Sequence, residues 1–190
     1  MDWETLLPPV AGVALGWILG VFTKPIQDWY YKPKLSITYD NVGPGYSVPT
    51  VDGAGRKFTH LRVAVKNDGM VTAKNVRVEV TKLVLQTTAP DVVFDTEVLE
   101  LPFAITHKVE ADIPRGAQRF VDLCRVHLEI VPLPYSESVL EFCFKQPPNY
   151  FPEALQDGIY TVSLLITADN SEPIIDTMKF NLTGRNVAFR

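Results

Sequence analysis

Three histidines and two cysteines are the residues of this 190-residue chain best suited to bond-making chemistry, and their spacing does not assemble it. His60, His107 and His127 stand far apart, with no H-x-x-x-H or C-x-x-C companion to bring ligands to one ion. A nucleophile would need Cys124, Cys143 or a serine beside a histidine. Cys124 and His127 lie three apart in an apolar run, Val121–Ile130, that reads as a strand, and an odd separation there points them to opposite faces. Asp91, Asp95, Glu97, Glu100, Glu110 and Asp112 are scattered through expected loops and edges and read as a solvated acidic surface. No glycine-rich loop leads from a strand into a helix, so nothing is offered to a nucleotide. These residues imply a chain that is not an enzyme and holds no metal or cofactor.

The elements around them are strands. Leu35, Ile37 and Tyr39 alternate with Ser36 and Thr38, the period of a half-buried strand. Asn41–Arg56 reads as a loop, punctuated by Gly43, Pro44, Gly45, Pro49, Gly53 and Gly55. The strongest signal is Leu61–Asn67, then Asp68-Gly69, then Val76–Thr81. Leu61, Val63 and Val65 should face a core with Val76, Val78 and Val80, while Arg62, Lys66, Arg77 and Glu79 face water, both strands lying in one sheet. Asn67-Asp68-Gly69 supplies residues that tolerate positive φ at the turn. Arg119–Ile130, Val139–Phe144, Ile159–Ala168 and Ile174–Leu182 complete six or seven strands, with a short helix at Pro152–Gln156. The expected fold of residues 35–190 is an all-β antiparallel sandwich. Cys124 and Cys143, each in an apolar strand, read as buried free thiols of a reducing compartment, a disulfide between neighbouring strands being the alternative.

The segment Val63-Ala64-Val65-Lys66-Asn67-Asp68-Gly69, followed by Ala73, Val76 and Val78, resembles the N-x-G-x-x-x-A-x-x-V-x-V signature of CARDB-type and related immunoglobulin-like bacterial domains. The match covers about twenty residues and implies an immunoglobulin-like sandwich used as an interaction or spacer module. The layout of a short anchor, a Lys-Pro, a strand, this motif and then Asp112–Gly116 before Arg119–Leu123 also resembles uncharacterised membrane-anchored bacterial proteins. That likeness implies no activity.

The anchor is expected in residues 1–34. Leu6–Phe22 carries no charge and spans about 25 Å as a helix, and extension through Thr23, Lys24, Pro25 and Ile26 reaches the roughly 30 Å of a hydrocarbon core, with Lys24 snorkelling. Trp3 on one side and Trp29, Tyr30 and Tyr31 on the other are placed as interfacial aromatic belts. A cleaved signal peptide fits less well, because the chain opens with Asp2 and Glu4 and offers no cleavage site after Phe22. Lys24, Lys32 and Lys34 all follow the span, so the positive-inside rule puts the N-terminus outside and the domain in the cytoplasm of a single-pass plasma (inner) membrane protein. Gly12, Gly16 and Gly20 share one helical face, a stripe along which another helix can approach closely.

Charge narrows the partners. Residues 1–34 balance Asp2, Glu4 and Asp28 against three lysines, so the net charge of −4 belongs to the domain, which is the wrong sign for nucleic acid. Protein is the expected ligand, with Tyr135, Tyr150 and Phe151 in a proline- and aromatic-rich stretch as a candidate contact surface or a packed loop. The resulting expectation is an accessory or scaffold subunit: its helix packs against membrane helices of its own or another kind, and its sandwich contacts a partner. A self-assembling pore gated by the β domain is the alternative, although the span lacks a polar lumen face. An enzyme with a site assembled only in three dimensions is a third reading.

Overall fold

A computed structural model of the protein describes residues 31–86, 91–94, 99–128, 140–145 and 157–190, together with Trp17, Gly20 and Thr23. The chain enters β1 (Leu35–Thr38), β2 (Ser47–Val51) and β3 (Lys57–Asn67), crosses to β4 (Ala73–Gln86), and passes three short strands, β5 (Val92–Phe94), β6 (Leu99–Glu100) and β7 (Ala111–Ile113). It continues through β8 (Gln118–His127), β9 (Leu140–Phe142), β10 (Gly158–Ala168), β11 (Ser171–Thr183) and β12 (Asn186–Phe189). Every pairing is antiparallel. One sheet runs β1-β3-β8-β9, with β2 also on β3; the other runs β12-β11-β10-β4-β5, with β6 and β7 also on β4. Two antiparallel sheets with one core between them make an all-β sandwich.

Alternation decides what fills that core. Leu61, Val63 and Val65 from β3 meet Val76, Val78 and Val80 from β4, joined by Tyr160, Val162, Leu164 and Ile166 of β10, all buried. Each such side chain contributes roughly 1.5–3 kcal/mol through removal from water. The stack of Tyr160 on Phe180, with ring centroids 5.1 Å apart, fills the far half.

The expected one-sheet arrangement of the two strongest strands is corrected: β3 and β4 lie in opposite sheets, so residues 68–72 form an arch across the sandwich rather than a hairpin. Period-two alternation fixes which face is buried, and two strands facing each other across a core satisfy it as well as two neighbours in a sheet. A second correction concerns Asn41–Arg56, which contains β2. Its Pro49 is accommodated because β2 pairs only with β3 and leaves its other edge free among the described strands. Twelve strands among the described residues replace the six or seven expected.

One side of the sandwich is closed by a segment that changes sheets. Leu99 pairs with Val80 and the Leu101 N–H donates to the Val78 carbonyl at 2.9 Å. Phe103 then bridges to Val121 of the other sheet, with the Ala104 N–H on the Phe120 carbonyl at 2.8 Å and the Asp122 N–H on the Pro102 carbonyl at 3.1 Å. This closure brings the loop after Phe103 to the mouth between the sheets.

Candidate functional site

Most residues assigned to the membrane or to a partner surface lie outside the described ones: Gly12, Gly16, Trp3, Lys24, Trp29, Tyr30, Tyr135, Tyr150 and Phe151, as does the expected Pro152–Gln156 helix. Trp17, Gly20 and Thr23 are helical, the Thr23 hydroxyl donates to the Gly20 carbonyl at 3.1 Å, and a methyl group built on Gly20 would meet nothing within 4 Å. Tyr31 is exposed. Among the described residues no helix is long and apolar enough to cross a membrane.

The chain's entry into the domain is the first site the fold builds. Pro33 is buried, and the peptide around it is held from both sides. The Lys34 N–H donates to Asn67 Oδ1 at 3.2 Å, and the Asp68 N–H donates to the Lys34 carbonyl at 2.9 Å. Asn67 itself is fully buried, and its side chain also accepts from the Gly69 N–H (3.0 Å) and donates to the carbonyls of Val71 (2.8 Å) and Ile113 (2.9 Å). Its backbone pairs with Ala117 and Gly116 in the turn before β8. One amide thus ties together the entering chain, the arch and the β7–β8 turn.

Gly69 completes the clamp, for a reason other than the one expected. Neither it nor Asn67 nor Asp68 has positive φ. A methyl group at Gly69 would come within 2.5 Å of the Lys32 carbonyl oxygen and 2.6 Å of Pro33 Cα, so the missing side chain is what lets two backbones touch. The motif is a dock for residues 32–34.

A second constellation lies on the outer face of the β3–β8–β9 sheet, where two carboxylates each stand between an arginine and a histidine. Arg62 Nε donates to Asp122 Oδ1 at 2.6 Å, and His60 Nδ1 stands 3.5 Å from the same oxygen, an electrostatic contact rather than a formed hydrogen bond. Arg125 Nε donates to Glu141 Oε2 at 2.6 Å, and His127 Nε2 lies 2.8 Å from Glu141 Oε1. Between the pairs the Arg125 guanidinium sits 4.7 Å above the buried Phe58 ring, which meets His127 edge-on. Arg62, expected to face water, is therefore corrected: its side chain is only 14% exposed. The cause is a register shift between Leu61 and Arg62 against β8 that sets Arg62 opposite Asp122.

Burial would raise both carboxyls, but the His60 and Arg62 contacts outweigh it at Asp122, and His127 and Arg125 outweigh it at Glu141, so both are held below the ordinary carboxylate range. A depressed folded-state pKa confers stability that is present above the unfolded value and lost as pH falls through the folded one. The thermal midpoint is therefore expected to drop as pH is lowered below about 4, and Asp122→Asn should flatten that slope. Melting curves in an acid series check it, and a parallel slope in the variant would contradict it.

Cys124 faces the core opposite Leu61, whereas His127 pairs with Phe58 on the outer side, so the two point apart as the spacing implied. Both cysteines are free thiols. Burial pushes the Cys124 thiol far up, and burial with the nearby Asp122 charge pushes Cys143 up to about 12, so neither offers a thiolate at neutral pH. A disulfide-exchange reagent at neutral pH is expected to react with neither until the domain unfolds, read as absorbance with and without denaturant. Phe142 and Phe144 stack 5.3 Å apart and pack on the core.

Sequence reasoning missed the outer-face pairs, though His60 and Arg62 at one spacing and Arg125 and His127 at the same spacing were a readable period-two signal. Among the described residues no group of three or more metal-ligating side chains gathers. No protein-family model matches the chain, and no curated protein matches its sequence.

Proposed function

We propose that this chain is a non-enzymatic, single-pass subunit of a bacterial inner-membrane protein complex, with residues 1–34 as anchor and residues 35–190 as an immunoglobulin-like, CARDB-type cytoplasmic sandwich. The observation that carries the reading is the clamp on Lys32–Lys34. A tethered domain that searches for its partner is served by a flexible linker, whereas an assembly subunit gains from a fixed orientation between anchor and domain. Here the peptides of Lys32–Lys34, at the end of the anchor segment, are bonded into the fold by Asn67 and Asp68, with Pro33 buried against Gly69. No slack is left between Lys34 and β1, which begins at Leu35.

The partner face of the anchor is the stripe of Gly12, Gly16 and Gly20, where small residues let a second helix approach to van der Waals contact. Trp3, Lys24, Trp29, Tyr30 and Tyr31 hold its depth in the bilayer, and Tyr135, Tyr150 and Phe151 belong to the surface offered to a protein partner.

The test is purification of the full chain in a gentle detergent beside a variant with all three glycines changed to leucine, reading mass by light scattering and co-purifying chains by mass spectrometry. Stoichiometric membrane proteins present with the native chain and lost from the variant are expected. A monomer in both preparations would overturn the packing face.

A further inference from the structure

The loop that follows the sheet-switching segment holds two non-glycine residues in left-handed backbone. Ile105 has φ of 75° and His107 of 54°, and for a β-branched residue such as isoleucine the left-handed region is costly. The loop is closed by the Phe103 N–H on the Lys108 carbonyl (2.8 Å) and the His107 N–H on the Phe103 carbonyl (2.9 Å). Beside it opens a cleft of about 820 Å³, lined by residues 103–112 with Asn75, Arg119 and Lys145, a volume in the range of small-molecule sites.

The charge of this cleft is opposite to that of the chain. Its two acids are occupied: Glu110 pairs with Arg77, and Asp112 with Lys74 Nζ at 2.7 Å and the Asn75 N–H at 3.0 Å. Its three cations, Lys108, Arg119 and Lys145, are exposed and make no ion pair among the described residues. Arg119 stands opposite Val65, so it projects from the inner face of β8 where the two sheets part. A chain of net charge −4 thus gathers three unneutralised cations around one concavity.

The geometry points to a binding site for a phosphate-bearing ligand. One guanidinium fork and two ammonium groups match the several oxygens of a phosphoryl group. Three cations also suit a group carrying close to two negative charges better than a carboxylate carrying one. The phosphoryl group comes either from a soluble phosphate ester or from a lipid headgroup, the cleft lying near the strand segment Val65–Asn67 against which the entering chain pairs. This inference stands apart from the anchor and its partner.

Calorimetric titration of the full chain, in neutral detergent at low ionic strength, tests it with inorganic pyrophosphate as probe. Saturable binding is expected, weakened at least about tenfold in the double variant Arg119→Ala/Lys145→Ala. Lys82→Ala, on β4 outside the cleft, should leave it unchanged, and melting curves establish that each variant is folded. Dihexanoyl phosphatidate, a soluble short-chain lipid, is then added as competitor: displacement of pyrophosphate assigns the site to a lipid headgroup, and its failure to displace assigns it to a soluble ester. Absence of saturable binding up to millimolar probe, equal affinity in the double variant, or acetate binding as tightly as pyrophosphate would overturn the site.

Discussion

Replacing Gly69 by alanine is expected to destabilise the sandwich by about 2–4 kcal/mol, roughly 6–12 °C in thermal midpoint for a domain of this size. The added methyl would press on the Lys32 carbonyl and the Pro33 Cα, which are backbone and cannot rotate away. Relief has to come from withdrawing the entering chain, which breaks the bonds of Lys34 to Asn67 and Asp68, or from distorting the arch. Gly53→Ala is the matched control, since a methyl there meets nothing within 4 Å and the residue is not left-handed. Its stability should stay within about 0.5 kcal/mol of the native chain's. Equal effects at the two glycines would mean that residues 32–34 do not dock.

Asn67→Ala carries the other large effect, about 3–5 kcal/mol, because several buried groups lose a partner at once. The N–H groups of Lys34 and Gly69 lose an acceptor, and the carbonyls of Val71 and Ile113 lose a donor. Asn67→Asp separates this account from one of mere volume. It keeps the acceptor but turns a second oxygen toward two carbonyl oxygens in a fully buried position. That aspartate would have a raised folded-state pKa, so its damage should lessen as pH falls and the carboxyl gains a proton to donate. Denaturant melts of both variants, at neutral pH and near pH 5, read the difference. An aspartate variant as stable as the native chain at neutral pH would contradict the hub.

The sandwich was legible in the residues because alternation is a strong signal: Leu61, Val63, Val65, Val76, Val78 and Val80 all proved to be core. The same signal is silent on which sheet a strand joins. The arch that carries the chain across the core is held by bonds from Asn67 to residues 69 and 71 close by and to residues 34 and 113, which are distant in sequence. β2 was hidden by the glycines and prolines around it, since an edge strand tolerates the residues that mark a loop. The meeting of Arg62 with Asp122 depended on a one-residue register shift opposite Arg62, and the cleft on a segment that changes sheets at Phe103, neither of which can be read from the spacing of residues along one strand. Arg119, Lys108 and Lys145 belong to three separate segments and meet only at the mouth of the sandwich.

The proposed topology, a cytoplasmic sandwich held to a bilayer by the N-terminal segment, can be read from one cysteine placed by mutation. Ile175 on β11 is 71% exposed, whereas Cys124 is buried, Cys143 half-buried and both thiols held protonated, so Ile175→Cys supplies a single reactive sulfur. The full-length variant, expressed in a Gram-negative host, is treated with a membrane-impermeant maleimide in spheroplasts and in inverted inner-membrane vesicles. The chain is expected to sediment with the membranes through an alkaline wash and to label only in the inverted vesicles. Labelling in spheroplasts, or release of the unmodified chain into the soluble fraction, would contradict the account.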